Sequence, residues 1–162
     1  MMDHNLQIVT DATQALATAT PPFTVMLVDD DDVAVESVLR AFRKEATPWH
    51  VITAGDGQEA LDIMRGAHPE KRIESPYLVL LDINMPRMDG LTFLETVRAD
   101  AGLHGTVVFM LTTSARDLDR SQAYAGNTAG YMVKSAVGPH FAKLTALLHS
   151  YGNSVRLPEL PT

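Results

Sequence analysis

Cysteine is absent from the 162 residues. That single absence removes a disulfide framework, a thiolate zinc site, an iron–sulfur cluster and a cysteine nucleophile. Positive charge is also scarce, with 13 Lys and Arg against 20 Asp and Glu for a net charge of −7. An acidic balance without a basic run repels phosphate backbones, so no nucleic-acid partner and no anionic membrane surface are expected. Long apolar runs are missing too. The stretches Tyr77–Leu81 and Thr106–Leu111 fall far short of the roughly 20 residues that cross a bilayer. The opening residues carry an A-x-A triplet at Ala17–Ala19 but neither a cationic start nor a continuous apolar core. The expectation is a cytoplasmic protein with no membrane association.

What is present is the composition of one globular domain: 46% hydrophobic and 20% charged residues. At this length a folded chain hides roughly 70% of the surface its unfolded form exposes, enough for a core without staples. Residues 1–22 are rich in Thr and Ala and stop at Pro21-Pro22, so they read as a tail or a loosely docked helix. From Phe23 the pattern changes. TVMLV is a short apolar run that ends in the four carboxylates Asp29–Asp32, as a buried strand does on reaching solvent. Val35, Val38, Leu39, Phe42 and Ala46 then recur at helical intervals until Thr47-Pro48, giving an amphipathic helix with those residues inward.

The alternation continues. Trp49–Ala54 reads as a strand, Gly55-Asp56-Gly57 as a turn, and Gln58–Arg65 as a helix burying Ala60, Leu61 and Met64. YLVLLD, TVVFMLT and GYMVK supply three more strands, each followed by a helix: Leu91 to about Arg98, about Arg116 to Ala125, and about Pro139 to Tyr151. Five β/α repeats imply parallel pairing in a doubly wound α/β sheet, apolar throughout because both faces are covered. In such a sheet the ligand crevice lies outside the carboxyl ends of the strands.

Four of the five strand ends are polar: Asp29 and Asp30, Asp82, Thr112 and Lys134. Converging carboxylates compensated by one lysine repel unless a cation joins them. All-oxygen ligation selects a hard ion, and a site of few carboxylates suits Mg²⁺, with Mn²⁺ as a substitute. A carboxylate beside such an ion, a hydroxyl and an ammonium is equipped to attack phosphorus. Asp82 ends the central strand and is the favoured nucleophile; Asp29 and Asp30 suit the metal. Thr112 would donate to a phosphoryl oxygen and Lys134 would pair with another.

LVDDDD, LLDINMPRMDG, FMLTTS and AGYMVKS, in this order, resemble the response-regulator receiver family of two-component signalling over about residues 23–151. The resemblance implies a (βα)5 flavodoxin-like topology, with residues 152–162 left as a C-terminal extension. It implies that Asp82 is the phosphoacceptor and that Asp30, Asp82 and the Asn84 carbonyl hold Mg²⁺, with Asp29 acting mainly through water. Thr112 and Tyr131 would form the switch that alters the surface of the fourth helix, fifth strand and fifth helix. The family usually has a cis proline after the lysine; here Ser135 follows Lys134, where a cis bond costs about 3–4 kcal/mol. The isomer at this bond is left open by the sequence. The runs around Thr112 and Lys134 and the ending SYGNSVRLPEL are similar to single-domain regulators serving phytochrome and related kinases. That implies a sensor histidine kinase or phosphotransfer partner, and a homodimer through the fourth helix, fifth strand, fifth helix and the extension.

Plainer readings apply to several residues. Asp31 and Asp32 suit a helix start, Asp89-Gly90 a turn and helix start, and the methionines 85, 88, 110 and 132 packing. Only 11 residues follow Tyr151, so output is expected to pass through another protein. The chain is expected to be no enzyme beyond its own phosphorylation and dephosphorylation. A small aspartyl-phosphate hydrolase is the alternative, but its Asp-x-Asp motif is replaced by Asp82-Ile83-Asn84, and Asn84 cannot serve as a general acid. A phosphate sink without switching output is the other alternative.

Overall fold

The computed structural model describes residues 23–161; the expected tail or helix over 1–22 lies outside them. In chain order the elements are β1 (Thr24–Val28), α1 (Asp32–Lys44), β2 (His50–Ala54), α2 (Gly57–Met64), β3 (Tyr77–Leu81), α3 (Gly90–Ala99), β4 (Val107–Thr112), α4 (Asp117–Ala125), β5 (Gly130–Val133) and α5 (Ala142–Ser154), with short 3₁₀ turns at Lys134–Ala136 and Pro139–Phe141. The strands form one parallel sheet in the order β2-β1-β3-β4-β5. Strand order reverses beside β1, which places β1 and β3 at the crevice of a doubly wound sheet.

Two apolar layers cover the sheet. On one face Met26, Val28, Val79, Leu81 and Met110 pack under α2 and α3 through Leu61, Ile63, Phe93, Leu94 and Val97. On the other, Val25, Leu27, Leu80 and Leu111 meet Val38 and Phe42 of α1 and Leu144 and Leu148 of α5. This split follows from the strand period of two, which sends successive side chains to opposite faces. The central strands β1, β3 and β4 are almost wholly buried, as fully covered parallel strands must be.

The edge strands depart from the expected full coverage. All of β5 and most of β2 are half-buried, because an edge strand lacks a neighbour on one side and its apolar sequence does not reveal that position. Ala46 was expected inward and is exposed. The helix stops at Lys44, Ala46 takes a positive φ of 49°, and Thr47 N–H returns to Phe42 O at 3.2 Å, closing the end before the apolar stripe is completed. In α2 the inward face includes Ile63, which the spacing missed, while Met64 is half-buried. Helix α5 continues three residues beyond the expected Tyr151. The chain then folds back past the amino-terminal ends of the central strands: Leu157 joins one core layer and Leu160 the other, and Ser75 Oγ, just before β3, accepts from Leu160 N–H at 3.0 Å.

Candidate functional site

Parallel strands in register end at a common rim. Val28 pairs with Ala54 and Leu81, Leu81 with Met110, and Thr112 with Val133. The ladder extends one residue past two of the strands, since Asp29 N–H donates to Ala54 O at 3.0 Å and Asp82 N–H to Val28 O at 2.9 Å. Backbone bonds therefore aim both aspartates, and each is buried, at 5% and 6% exposure. Across the rim, Lys134 Nζ lies 2.6 Å from Asp29 Oδ2 and 3.4 Å from Asp82 Oδ2. The remaining oxygens are also held: Asp29 Oδ1 accepts from Asp31 N–H at 2.9 Å, and Asp82 Oδ1 from Ile83 N–H at 2.8 Å.

Asp30 is exposed beside this pair. One carboxylate oxygen from each of Asp29, Asp30 and Asp82 lies within 4.8 Å of the other two. Asn84 sits two residues after Asp82 in the exposed part of the β3–α3 loop. Burial, reinforced by the Asp82 charge, holds the Asp29 carboxyl above its ordinary range against the opposing bonds from Lys134 and Asp31. Burial by itself would push the Lys134 ammonium down; Asp29 and Asp82 outweigh it and hold it up. Three carboxylates against one ammonium leave excess negative charge. At an effective dielectric of about 20, each carboxylate pair at this spacing repels by about 3–4 kcal/mol. A divalent cation fits this donor set, which is all oxygen and two-thirds buried, and its hardness matches carboxylate ligation.

Thr112, the last residue of β4, is fully buried, and its Oγ1 accepts from Ser114 N–H at 3.2 Å. Tyr131 lies on β5 opposite Met110 and donates its hydroxyl to Ser114 O at 2.9 Å. The two expected switch residues are thus joined through one residue of the β4–α4 loop. Ser114 is itself fixed, since its Oγ donates to Asp119 Oδ2 at 2.6 Å. Neither Asp119 nor its contact is legible from spacing, because the residue stands in a polar, weakly patterned helix. The Lys134–Ser135 bond is trans; among the described residues only Ser75–Pro76 is cis.

The plainer readings of neighbouring acids hold. Asp31 caps α1 by accepting from Val33 and Ala34 N–H, and Asp89 caps α3 by accepting from Thr92 N–H at 2.8 Å. Met110 is buried, Met85 and Met88 pack against the α2/α3 layer, and Met132 packs against the other.

Residues 25–146 match the model of the response regulator receiver domain. The chain belongs to the response regulator receiver family. It is 32% identical over 116 residues to a probable methanogenesis regulatory protein, FilR2, of Methanothrix harundinacea, covering 72% of this chain and 74% of FilR2. It is 33% identical over 113 residues to response regulator Rre1 of Synechocystis, covering 70% of this chain but only 46% of Rre1. Among solved structures it is similar to the phosphorylated cyanobacterial phytochrome response regulator RcpA, at 26% identity and a TM-score of 0.71 over 87% of this chain and 99% of that one. The Mn²⁺-bound response regulator Rcp1 matches at 25% identity and a TM-score of 0.72, over 85% and 99%. No helix of the described residues is long and apolar enough to cross a membrane.

Proposed function

We propose that this receiver is a phosphorylation switch in which Asp82 accepts a phosphoryl group from a phosphohistidine of a sensor kinase or phosphotransfer protein. One observation carries the reading: Lys134 brings together Asp29 and Asp82, residues 105 and 52 positions away in the chain, at the rim that Asp30 and Thr112 share. In the transfer a carboxylate oxygen of Asp82 forms the new P–O bond, the P–N bond breaks, and the imidazole keeps the electron pair. Asp29, Asp30, Asp82 and the Asn84 carbonyl would hold Mg²⁺, with Mn²⁺ as substitute, and the bound ion supplies positive charge to the phosphoryl oxygens. The Mn²⁺ of Rcp1 supports a divalent ion here.

The protein's own groups do the rest. Lys134, bound to Asp29 and within reach of Asp82, pairs with one phosphoryl oxygen as a compact point charge. Thr112 donates to another, which withdraws its Oγ1 from the Ser114 amide and disturbs the carbonyl that holds Tyr131. Output then passes through the surface of α4, β5 and α5, where Leu118, Tyr124, Leu147 and Val155 are exposed apolar side chains. That exposure supports a homodimer; in the extension Leu157 and Leu160 pack against the chain's own core, which leaves Val155 as its exposed large apolar side chain among the described residues. The phytochrome regulators among the structural relatives support a kinase of that kind as the partner, acting in the cytoplasm. The receiver unit is taken as residues 23–151, with 152–162 as the extension.

The test is incubation with a small-molecule phosphodonor with and without Mg²⁺. The intact mass should rise by one phosphoryl group only with the ion, and Asp82→Asn should abolish the gain. A gain that persists in Asp82→Asn places the acceptor elsewhere and overturns the proposal.

A further inference from the structure

The β3–α3 loop, which follows the proposed acceptor and carries Asn84, is fastened to a neighbouring turn by a side chain that the site described above does not use. Arg87 lies near the middle of this loop with a positive φ of 62°, a conformation that L residues other than Asn, Asp and Gly seldom adopt. Its guanidinium reaches across to Asp56 at the β2–α2 turn, with Nε 2.7 Å from Oδ2 and Nη2 on the same oxygen. The two ends differ in setting: the Asp56 side chain is 1% exposed and that of Arg87 74%. Asp56 is anchored independently, because its Oδ1 caps α2 by accepting from Glu59 N–H at 2.9 Å. A second bond parallels the ion pair, from Gly57 N–H to Met88 O at 3.3 Å.

The loop has few other ties. Gly90 N–H at the start of α3 donates to Ile83 O at 2.8 Å, and Met88 N–H donates to Pro86 O at 2.7 Å within the loop; these bonds close the loop on itself and on α3 but do not tie it to the β2–α2 turn. Asn84 is exposed, and Met85 and Met88 are only half-buried. An exposed arginine whose charged partner is buried and already anchored is therefore the tether that sets where the loop stands. We infer that Arg87 and Asp56 form a latch that positions the Asn84 segment of the cation site, Arg87 acting as a positioning residue. The inference rests on the proposed cation and phosphoacceptor site. Groups that orient a metal-binding segment without touching the ion typically change affinity by about 10–100-fold when removed.

Two variants isolate the latch. Arg87→Asn accepts the positive φ and removes the guanidinium, and Asp56→Asn keeps an oxygen for the α2 cap while removing the charge. Mg²⁺ affinity measured by calorimetry should fall about tenfold in each, and no further in the double variant, since both break one contact. Without any metal, hydrogen exchange at the Gly57 amide should accelerate in both variants. The phosphorylation rate at saturating Mg²⁺ should stay near the wild-type value, so the loss appears in the Mg²⁺ dependence. Arg87→Lys keeps the charge but not the fork, and should recover only part of the affinity. Unchanged Mg²⁺ affinity in folded Arg87→Asn, or losses that add in the double variant, would overturn the latch. If wild-type protein neither binds Mg²⁺ nor takes a phosphoryl group, the functional reading fails instead.

Discussion

Replacing Gly90 by alanine sets two physical effects against each other, and the structure decides the sign. Gly90 is the first residue of α3, capped by Asp89. On helix propensity alone the change to alanine would stabilise by about 0.5–1 kcal/mol. Its φ is not in the left-handed region, so no conformational penalty opposes that gain. Space does. A Cβ at this position would overlap the Asp82 carbonyl oxygen and stand 2.9 Å from both the Asp82 carbonyl carbon and Ile83 Cα. All of these are backbone atoms, anchored by the Asp82 N–H bond to Val28 O and the Gly90 N–H bond to Ile83 O. Overpacking of this kind costs about 1–3 kcal/mol, occasionally more, and backbone that cannot rotate away belongs at the upper end. Net destabilisation of about 2 kcal/mol follows, a fall in Tm of about 4–8 °C for a chain of this size. Because the displaced atoms belong to Asp82, phosphorylation should slow as well. Thermal unfolding followed by circular dichroism measures the first effect. A Tm that is unchanged or raised would show that propensity wins and that the close approach is not real.

Three other outcomes are expected. Burial alone would raise the Asp56 carboxyl, but the Glu59 N–H and Arg87 bonds outweigh it and hold it below its ordinary range; its stabilisation is therefore complete above about pH 4 and lost as pH falls through the lower folded value. The gap in unfolding free energy between wild type and Asp56→Asn should be constant from pH 5 to 7, by urea titration, and shrink below about pH 4; a gap that grows there contradicts the assignment. Phe93→Ala empties a fully buried site in the α2/α3 layer and should cost about 3–5 kcal/mol by urea denaturation, a loss under 1 kcal/mol counting against the packing described. Tyr131→Phe removes the donor to Ser114 O, so stability should drop by about 0.5–1.5 kcal/mol, and an unchanged midpoint would mean that the bond is absent in solution.

The sheet was legible in the sequence because its signals are local. Each strand is a short apolar run stopped by a polar residue, and once the strands are parallel, those stops must share a rim; Asp29, Asp82, Thr112 and Lys134 were found in this way. Helix starts at Asp31 and Asp89 were also legible, since a cap depends on the next three residues. Contacts between distant segments were not. Arg98 donates to carbonyls of Gly126, Asn127, His104 and Thr106, tying the end of α3 to two loops, yet in sequence it is merely a polar residue on a helix. Arg87 and Asp56 lie 31 positions apart, and nothing in either segment announces the other. The half-exposed β2 and β5 show the same limit from the other side, since composition reports apolarity and not which strand ends at an edge.

The central claim is that the acidic rim leaves one carboxylate chemically available, the one that ends β3. Fragmentation mass spectrometry of the wild-type chain, after phosphodonor treatment with Mg²⁺, locates the added group directly. The phosphoryl should lie on Asp82 alone. A phosphoryl group located on Asp29, Asp30 or a histidine would contradict the account.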